Sequence, residues 1–417
     1  MTQLAGSHIS GDTAALRRVR FGSAHYFQRP DRSDPADAQA PRTGMAGLGG
    51  YARLSKEAGH WLWEVSTNFR TPAYNNNDIA FFSRADYWWM QANIFPIWTK
   101  PTKWYRQLFL IGGGQQQYNF DGDLTDRQVQ VYGQIETLGY WNLSTFWIRR
   151  PQVFDDRLTR GGPVVKRPSN DFWYLNINSD SRKRIVAGLN GSYGCNSDRD
   201  CGNSTSLSLE LKPRSNVSVS LGPSYDHTVT GMQFVGSYAD PTATNFFGTR
   251  YVFAHLAQNT ISMNTRLNVT FTPTMTLELF VQPLIVSGAF SRYNVFAAPR
   301  SVRRLAYGRD FGTVVITPAT KPAIDPATIQ LDADTLGGGA PTYTFTDPTF
   351  TFRSLRGNAV LRWEYRPGST LFVVWTRSSR IPDRPRGDIQ FGDDASALFQ
   401  GPSENIFLVK MTYWLGF

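Results

Sequence analysis

The sequence has no long apolar run: none of its stretches approaches the roughly 18 apolar residues that a membrane-spanning helix requires. Helical insertion into a bilayer is therefore excluded. Charged residues are also scarce, at 18% of 417 residues, and the mean hydropathy is -0.35. A transmembrane β-barrel escapes a hydropathy scan because every second residue of its strands faces the lumen. The negative value therefore does not indicate a soluble protein.

Cysteine is almost absent, with two residues in the chain. Cys195 and Cys201 lie in one polar loop, and neither has another cysteine with which to pair. This arrangement predicts a disulfide at a loop tip in an oxidising compartment. A metal pair is the alternative, but no histidine or further cysteine lies nearby. We predict no metal ion and no cofactor.

Histidine is equally scarce, with five residues, and none lies in a Gly-x-Ser-x-Gly or His-Glu-x-x-His motif. His227, beside Asp226, is the best-placed candidate for a general base. An enzyme in a barrel wall would also need a nucleophile and an acid or amide clustered with it. We therefore expect a protein that is not an enzyme, with a membrane-embedded hydrolase of lipid or glycan as the alternative.

Acidic residues are outnumbered by basic ones, 33 to 43, which gives a formal net charge of +10. Nucleic-acid binding is one interpretation, but no basic helix, zinc pattern or aromatic ribonucleoprotein motif accompanies the charge. Basic residues that face anionic lipid sugars or solutes explain it more simply. We predict no nucleic-acid partner, and expect contact with outer-membrane lipid and lipopolysaccharide.

What the sequence does have is strict alternation of apolar and polar residues, clearest over 261–282. Leu267 and Val269 share one face of a predicted strand, and Arg266 and Asn268 share the other. A turn at 272–274 reverses the chain, and the alternation resumes. Because successive side chains of a strand point to opposite faces, this hairpin has one apolar and one polar wall.

The same rhythm recurs along most of the chain. The predicted strands are 17–27, 45–54, 61–70, 81–98, 104–119, 126–138, 139–150, 170–179, 184–194, 204–213, 216–226, 231–239, 247–257, 261–271, 275–282, 350–366, 370–379 and 407–417. Tight turns alternate with longer, more polar connections. The sequence therefore predicts an all-β protein, an antiparallel up-and-down transmembrane β-barrel of about 18 strands, with short periplasmic turns and long extracellular loops.

The domain organisation follows from this rhythm. Residues 1–417 are predicted to form a single outer-membrane β-barrel domain. Residues 287–349 break the alternation and are rich in Pro, Ala, Thr and Gly, as expected of a functional or disordered loop. We predict that this segment is a long loop or plug inserted between strands.

The end of the chain indicates where the protein resides. Phe417, Leu415, Tyr413 and Met411 form an apolar face that ends in an aromatic residue, and Phe407 and Val409 extend it. This pattern resembles the C-terminal signal by which outer-membrane barrels are recognised for assembly. We therefore expect the barrel-assembly machinery as a partner and the outer membrane of a Gram-negative-type bacterium as the location.

Aromatic residues are expected at the membrane–water interfaces, because a ring with one polar end is stable there. Five tryptophans lie near predicted short turns and would form the periplasmic belt: Trp61, Trp104, Trp141, Trp363 and Trp414. The alternative is that they are core aromatics.

Charged and polar residues on the other wall must face water or a plug, since they cannot face hydrocarbon. The predicted lumen-lining residues are Arg266, Asn268, Glu278, Gln282, Arg356, Arg362, Glu364 and Lys410. We predict a mildly cation-lined lumen that residues 287–349 partly fill. The alternative is that these charges pair with each other and only pack the interior.

Two acidic clusters lie outside this wall. The first, Asp121, Asp123 and Asp126, could hold calcium, but an Asp-Gly turn is the favoured interpretation. The second, Asp155 and Asp156, lies beside arginines, and no second acid is placed opposite to suit glycoside chemistry. For this pair we predict an ion network within a loop.

Several segments resemble a family of outer-membrane barrel domains of unknown function: 155–163, 221–225, 250–254, 363–371 and 405–414. In longer members that barrel follows an N-terminal carbohydrate-binding module of family nine. The resemblance covers the chain from about Trp61 to its end, and the family implies no catalytic residues. This sequence departs from the pattern in lacking the module, a signal peptide and the first barrel strands. We therefore expect it to be the C-terminal part of a longer protein.

These observations predict a non-enzymatic pore or cell-surface anchor. The family resemblance implies a link to carbohydrate handling, with carbohydrate as a possible partner. A structural barrel that displays a separate carbohydrate-binding domain is a further alternative, beside the hydrolase.

Overall fold

Strands dominate the chain. The computed structural model describes residues 1–34, 40–79, 81–321, 325–334 and 339–416, without the side chains of 382–384. Sixteen long strands form one antiparallel sheet: β1 (Thr2–Ser10), β2 (Gly44–Lys56), β3 (Trp61–Arg70), β4 (Tyr87–Trp98), β5 (Tyr105–Tyr118), β6 (Leu124–Thr137), β7 (Asn142–Arg150), β10 (Asn170–Asn178), β11 (Ile185–Asn196), β12 (Cys201–Arg214), β13 (Val217–Ala239), β14 (Thr249–Thr272), β15 (Met275–Phe296), β20 (Phe350–Arg366), β21 (Ser369–Arg384) and β22 (Ser403–Met411).

Shorter elements lie between these strands. They are β8 (Val153–Asp155), β9 (Val165–Arg167), β16 (Arg304–Ala306), β17 (Thr313–Thr317), β18 (Thr328–Asp332), β19 (Thr342–Thr346), and two helices, α1 (Thr13–Phe21) and α2 (Phe391–Gln400). Among the described residues, no helix combines the length and apolarity needed to cross a bilayer.

The sheet is an antiparallel meander in which each long strand pairs with the next one along the chain. Two excursions interrupt it, since β8 and β9 form a separate hairpin between β7 and β10, and β16–β19 lie between β15 and β20. In the part of the chain that the structure describes, β1 pairs with β2 only and β22 with β21 only. Closure of the sheet into a barrel therefore stays a prediction.

The two faces of the sheet differ, as the alternation predicts. On one face, register pairs link one apolar residue from each of six neighbouring strands: Val217, Val269, Leu277, Leu361, Val373 and Val409. The row Val131, Trp147, Trp173 and Tyr193 continues this face on earlier strands. We call it the apolar face. Many of its large side chains are exposed, for example Trp173 at 54%.

The opposite face, here called the polar face, carries amides and hydroxyls that bond to each other across strands. Gln130 Nε2 donates to Asn93 Oδ1 at 3.2 Å, and Tyr174 Oη donates to Asn190 Oδ1 at 2.9 Å. Such bonds satisfy groups that would be costly to leave unpaired. They also hold neighbouring strands in register.

The connections are sorted between the two ends of the strands. One end, the short-turn rim, carries 57–60, 99–104, 138–141, 179–184, 215–216, 273–274 and 367–368. The other, the long-connection rim, carries 11–43, 71–86, 119–123, 151–169, 197–200, 240–248, 297–349 and 385–402. Only 119–123 and 197–200 are short at this second rim. The tryptophans predicted for a belt, Trp61, Trp104, Trp141, Trp363 and Trp414, all lie exposed at the short-turn rim.

The predicted first strand at 17–27 is wrong. Residues 13–21 form helix α1, because the Asp12 carboxylate caps it by accepting from the backbone N–H of Ala15 at 2.7 Å. An N-terminal cap of this kind favours a helix over a strand. Leu16 is buried with Phe27 and Met45, and the first strand of the sheet is β1 instead.

Over the described residues the sheet has sixteen long strands, beside the prediction of about 18, and the strand count of the barrel stays a prediction. The predicted strands 216–226 and 231–239 are one strand, β13, in which bulges between Thr230 and Gly236 shift the register without ending the pairing. The predicted strands 247–257 and 261–271 are likewise one strand, β14. A bulge bends a strand and does not terminate it.

Residues 287–349 are more ordered than the sequence predicts. Among the described residues of this segment, the first part continues β15 to Phe296, and three five-residue strands, β17, β18 and β19, form a small sheet. Ile329 and Leu331 of this small sheet pack against Val252 and Ala254 of β14. Val252 and Ala254 alternate onto the same face of β14 as Arg266, so the small sheet covers the polar face near the long-connection rim. Whether it fills a lumen stays a prediction.

The last strand ends earlier than predicted. β22 stops at Met411, and one further backbone pair joins Thr412 to Thr370. The partner strand β21 begins at Ser369, so the described residues beyond Tyr413 extend past its first residue. Tyr413 and Leu415 therefore lie past the strand, and Phe417 lies outside the described residues.

Candidate functional site

The residues predicted to line a lumen share one face of the sheet. The register places Arg266 opposite Phe280, Asn268 opposite Glu278, and Arg362 opposite Thr276 and Phe372. By alternation from these pairs, all eight lie on the polar face: Arg266, Asn268, Glu278, Gln282, Arg356, Arg362, Glu364 and Lys410. That this face lines a lumen remains a prediction.

A concavity of about 410 Å³ lies among these residues and is lined by Arg266, Asn268, Glu278 and Asn358. The Arg266 guanidinium stacks on the Phe280 ring, 5.3 Å from its centroid. Contact with an aromatic face holds an arginine while leaving its N–H groups to a solute. This charge therefore remains available to the solvent.

The polar face is less uniformly polar than the sequence predicts. Phe280, Val360 and Val374 lie on it between the charged residues, and Leu408 of β22 pairs with Val374. Arg362 and Glu364 approach each other at 3.6 Å, so part of the charge is paired within the wall. Internal pairing thus has one local example, and solute contact stays a prediction.

The long connections interlock through a buried arginine that the sequence analysis did not single out. The Arg29 side chain is 2% exposed and contacts three carboxylates, Asp121 at 2.8 Å, Asp156 at 3.3 Å and Asp31 at 3.4 Å. Arg29 and Asp31 belong to connection 11–43, and the other two acids to 119–123 and 151–169. One side chain thus joins three connections. We call these joined connections the loop cap.

Further polar contacts tie the loop cap together. Arg84 of connection 71–86 pairs with Asp156 at 2.9 Å. Arg157 donates to the carbonyls of Ser23 and Ser83, which lie in two other connections. The backbone N–H of Val164 donates to Asp31 at 2.6 Å. The predicted ion network around Asp155 and Asp156 is therefore present, and it extends well beyond one loop.

Burial and charge set the titration of several groups in the loop cap. Burial raises the pKa of Asp86, although Arg32 lies 3.2 Å away. For Asp121, burial acts in the same direction, but hydrogen bonds from Ser33 and the nearby arginines outweigh it and lower the pKa. Burial lowers the pKa of His25, whose Nδ1 lies 2.9 Å from the Pro72 carbonyl oxygen. His25 is therefore neutral at pH 7.

One contact of the loop cap crosses the sheet. Arg300, which follows β15, bonds to Asp123, which lies between β5 and β6. β5 and β15 are eight places apart in the order of the sixteen long strands. Connections so distant in the sheet can meet only if the sheet curls.

The cluster Asp121, Asp123 and Asp126 does not converge on one point. Asp121 bonds to Arg29 and Ser33, Asp123 to Arg300, and Asp126 to Gln115 at 2.8 Å. Gly122 has a φ of +89°, the left-handed conformation that a tight turn needs. Among the described residues no group of acids, histidines and cysteines is arranged to hold a metal ion.

The small sheet is fastened to the rim by Asp240, which follows β13. Its carboxylate accepts from Thr242 at 2.6 Å, from Arg250 and from the Tyr343 hydroxyl at 2.8 Å. Burial alone would raise the pKa of Asp240, but these hydrogen bonds outweigh it and lower the pKa to about 2. Asp240 is therefore ionised wherever the protein is folded at ordinary pH.

The two cysteines lie opposite each other on β11 and β12, and their sulfurs form a disulfide with Cα atoms 4.1 Å apart. His227, the candidate general base, lies in β13, and its Nδ1 is 2.8 Å from Asn259 Oδ1. Leu415, Tyr413 and Met411 of the predicted assembly signal are all exposed at the short-turn rim.

Much of the chain is similar to one known protein family. A family model described as "Domain of unknown function (DUF5916)" matches residues 25–295, more than half of the chain. A comparison with curated proteins found no match. Among solved structures, the siderophore receptor PirA from Acinetobacter baumannii is similar, with 10% identity and a TM-score of 0.40. That similarity covers 98% of this chain and 68% of the receptor chain.

Proposed function

This chain belongs to the DUF5916 family, and we propose that it is an outer-membrane β-barrel with a polar lumen that the loop cap closes. In this proposal it acts as a non-enzymatic pore or cell-surface anchor in a Gram-negative-type outer membrane. The apolar face contacts lipid tails, the polar face lines the lumen, and the short-turn rim faces the periplasm.

The apolar face is the observation that supports this proposal. Its row from Val217 to Val409 runs across six strands, and many large side chains on this face are exposed. Soluble proteins rarely leave apolar patches larger than a few hundred Å² in water. The shortest of the sixteen strands has nine residues, about the length that a tilted strand needs to cross a bilayer.

The charges of the polar face suggest which solutes would pass through the lumen. The predicted lumen carries Arg266, Arg356, Arg362 and Lys410 against Glu278 and Glu364. A ring of net positive charge favours anionic solutes. The loop cap then acts as a gate at the outer mouth, because Arg29 joins three connections there.

Conductance in planar bilayers tests the pore. We expect the purified protein, inserted in a lipid bilayer, to show rare openings with selectivity for anions. Deletion of 297–349 should increase the open time if this segment narrows the lumen. The protein could instead insert as an intact barrel and show no conductance, either before or after this deletion. That result would refute the proposal of a pore and leave the proposal of an anchor.

The anchor and the carbohydrate link depend on family context. In this second proposal the barrel displays a separate carbohydrate-binding domain at the cell surface. A surface-labelling experiment on cells that express the complete gene product distinguishes it, since an anchored binding domain would be labelled from outside and would retain glycans without any solute flux.

A further inference from the structure

A polar basin of about 370 Å³ lies at the long-connection rim, outside the loop cap and the concavity on the polar face. Its lining includes four arginines, Arg292, Arg303, Arg304 and Arg309, and two acids, Asp198 and Asp200. The acids lie in the hairpin connection that the Cys195–Cys201 disulfide closes. This volume is within the range of small-ligand sites.

The acids of the basin are already engaged. Asp198 pairs with Arg304 at 2.6 Å, and Asp200 accepts from the backbone N–H of Gly231 at 2.9 Å. Arg304 also donates to the Gly231 carbonyl. Arg292 and Arg303 are exposed, and within the described part of the chain neither forms an ion pair. Two guanidinium groups are thus left to a ligand, and such groups favour carboxylate or phosphate.

Arg292 is held in an unusual conformation. Its φ is +49°, in the left-handed region, where it occupies a bulge that shifts β15 against β14 between Phe253 and His255. Residues other than glycine are strained there, and such strain is concentrated at binding and catalytic sites. The bulge directs the chain so that Arg292 lines the basin.

The basin also contains an unsatisfied acceptor. Asn294 is 6% exposed and lines the same cavity. Its Nδ2 donates to the carbonyls of Arg292 at 3.0 Å and Gly231 at 3.2 Å, which assigns the other amide atom as oxygen. Asn294 Oδ1 is buried and accepts no hydrogen bond from the described residues. A ligand hydroxyl would satisfy it.

The position of the basin along β14 limits which molecules could supply the ligand. His255, another lining residue, alternates onto the same face of β14 as Ile261 and Leu267. It lies six residues beyond Ile261, or about 20 Å at the rise of a strand. The basin therefore opens above the apolar face, where the sugars of an outer-leaflet glycolipid would lie if the proposed membrane location is right.

From these observations we propose that the basin binds an anionic sugar. Arg292 and Arg303 engage its carboxylate or phosphate, and a ring hydroxyl donates to Asn294 Oδ1. The sugar comes either from free oligosaccharide or from a membrane glycolipid, and both sources present the same chemistry.

Calorimetric titration of the detergent-solubilised chain tests this proposal, and it does not require membrane insertion or conductance. The probes are galacturonate, glucose 1-phosphate, glucose and inorganic phosphate. We expect the two anionic sugars to bind about tenfold more tightly than glucose or inorganic phosphate, because each of those lacks one of the two contacts. Glucose that binds as tightly as galacturonate would overturn the anion contact. Phosphate that binds as tightly as glucose 1-phosphate would overturn the hydroxyl contact.

Substitutions then locate the site. Arg292→Gly and Arg303→Gln should each weaken binding of the anionic sugars about tenfold or more. Arg292→Gly should also raise the unfolding temperature, because glycine adopts the left-handed conformation without strain. Arg214→Gln, the same loss of charge at the short-turn rim, is the matched control. Unchanged binding in both basin variants would overturn the proposal.

A last experiment distinguishes a free oligosaccharide from a membrane glycolipid as the source of the sugar. The chain is placed in vesicles that contain lipopolysaccharide or in vesicles of phosphatidylcholine alone, and galacturonate is titrated into each. A glycolipid ligand predicts weaker galacturonate binding in the first vesicles, by competition, and a free saccharide predicts equal binding. Because binding in detergent is measured separately, a protein that fails to insert refutes the membrane location and leaves the basin intact.

Discussion

Arg29→Met is the sharpest test of the loop cap. Methionine keeps an unbranched side chain of similar reach but removes the charge that faces Asp31, Asp121 and Asp156. The three carboxylates are between 5% and 16% exposed, so water compensates them poorly. Removing one partner of a buried ion pair costs about 3 to 5 kcal/mol.

The lower end of this range applies here, because each of the three acids keeps another partner. Asp31 retains the backbone N–H of Val164 at 2.6 Å. Asp156 retains Arg84 at 2.9 Å, and Asp121 retains the Ser33 hydroxyl at 2.7 Å. A cost of about 3 kcal/mol shifts the balance between closed and open loop cap by roughly a hundredfold. The fraction of protein molecules with an open loop cap should rise by that factor, up to the point at which nearly all of them are open.

Single-channel recording and limited proteolysis measure this shift independently. We expect Arg29→Met to lengthen the open time, and to speed cleavage within 11–43 and 119–123. Arg182→Met is the control, because Arg182 pairs with Asp180 at the exposed short-turn rim and touches no part of the loop cap. An Arg29→Met protein with wild-type conductance and wild-type cleavage would refute the idea that these ion pairs close the mouth.

Three further predictions follow from the geometry. Asp240 has a pKa of about 2 in the folded protein. Its contribution to stability, about 2 kcal/mol, should be complete above pH ~4 and lost as the pH falls to about 2. Asp240→Asn should remove this pH dependence in acid unfolding, and a variant with an unchanged acid profile would contradict the assignment. Val373→Arg, on the apolar face, should cost about 2 to 4 kcal/mol in vesicles. Val374→Arg, at the adjacent valine on the polar face, should cost much less. Heat-modified gel mobility measures the stability of both variants, and equal losses of stability would argue against a lipid contact. The variant with both Cys195 and Cys201 changed to serine should lose about 2 kcal/mol, because the disulfide closes a short loop. Thermal unfolding with and without reductant checks this, and reductant should have no effect on the variant.

Alternation was enough to predict most of the strands, because it is a local property that each stretch carries by itself. The hairpin of β14 and β15, with Leu267 opposite Leu279 and Asn268 opposite Glu278, has the two walls that its sequence implies. The sorting of short and long connections could also be predicted, since turn residues mark each short turn. Strand number was harder, because a bulge near Gly231 resembles a turn in sequence.

The partners across the long connections could not be predicted. Arg29 and Asp121 are 92 residues apart, and Arg300 and Asp123 are 177 apart. Arginine and aspartate abound in these connections, so composition indicates a network without saying which residues pair. The helix at 13–21 could not be predicted from alternation, because it depends on the Asp12 cap, which alternation does not reveal. The basin likewise depends on Arg292, whose backbone conformation sequence does not reveal.

The central claim is that the apolar face contacts lipid and the polar face does not. Spin labels on single cysteines at 266–269 in β14, in a background without the two native cysteines, test it most directly in reconstituted vesicles. The account predicts that oxygen, which concentrates in lipid, relaxes the labels at Leu267 and Val269 most strongly. A water-soluble nickel complex should instead relax those at Arg266 and Asn268. The account would be contradicted if the oxygen and nickel effects did not alternate from one position to the next. It would also be contradicted if the nickel complex relaxed the labels at all four positions.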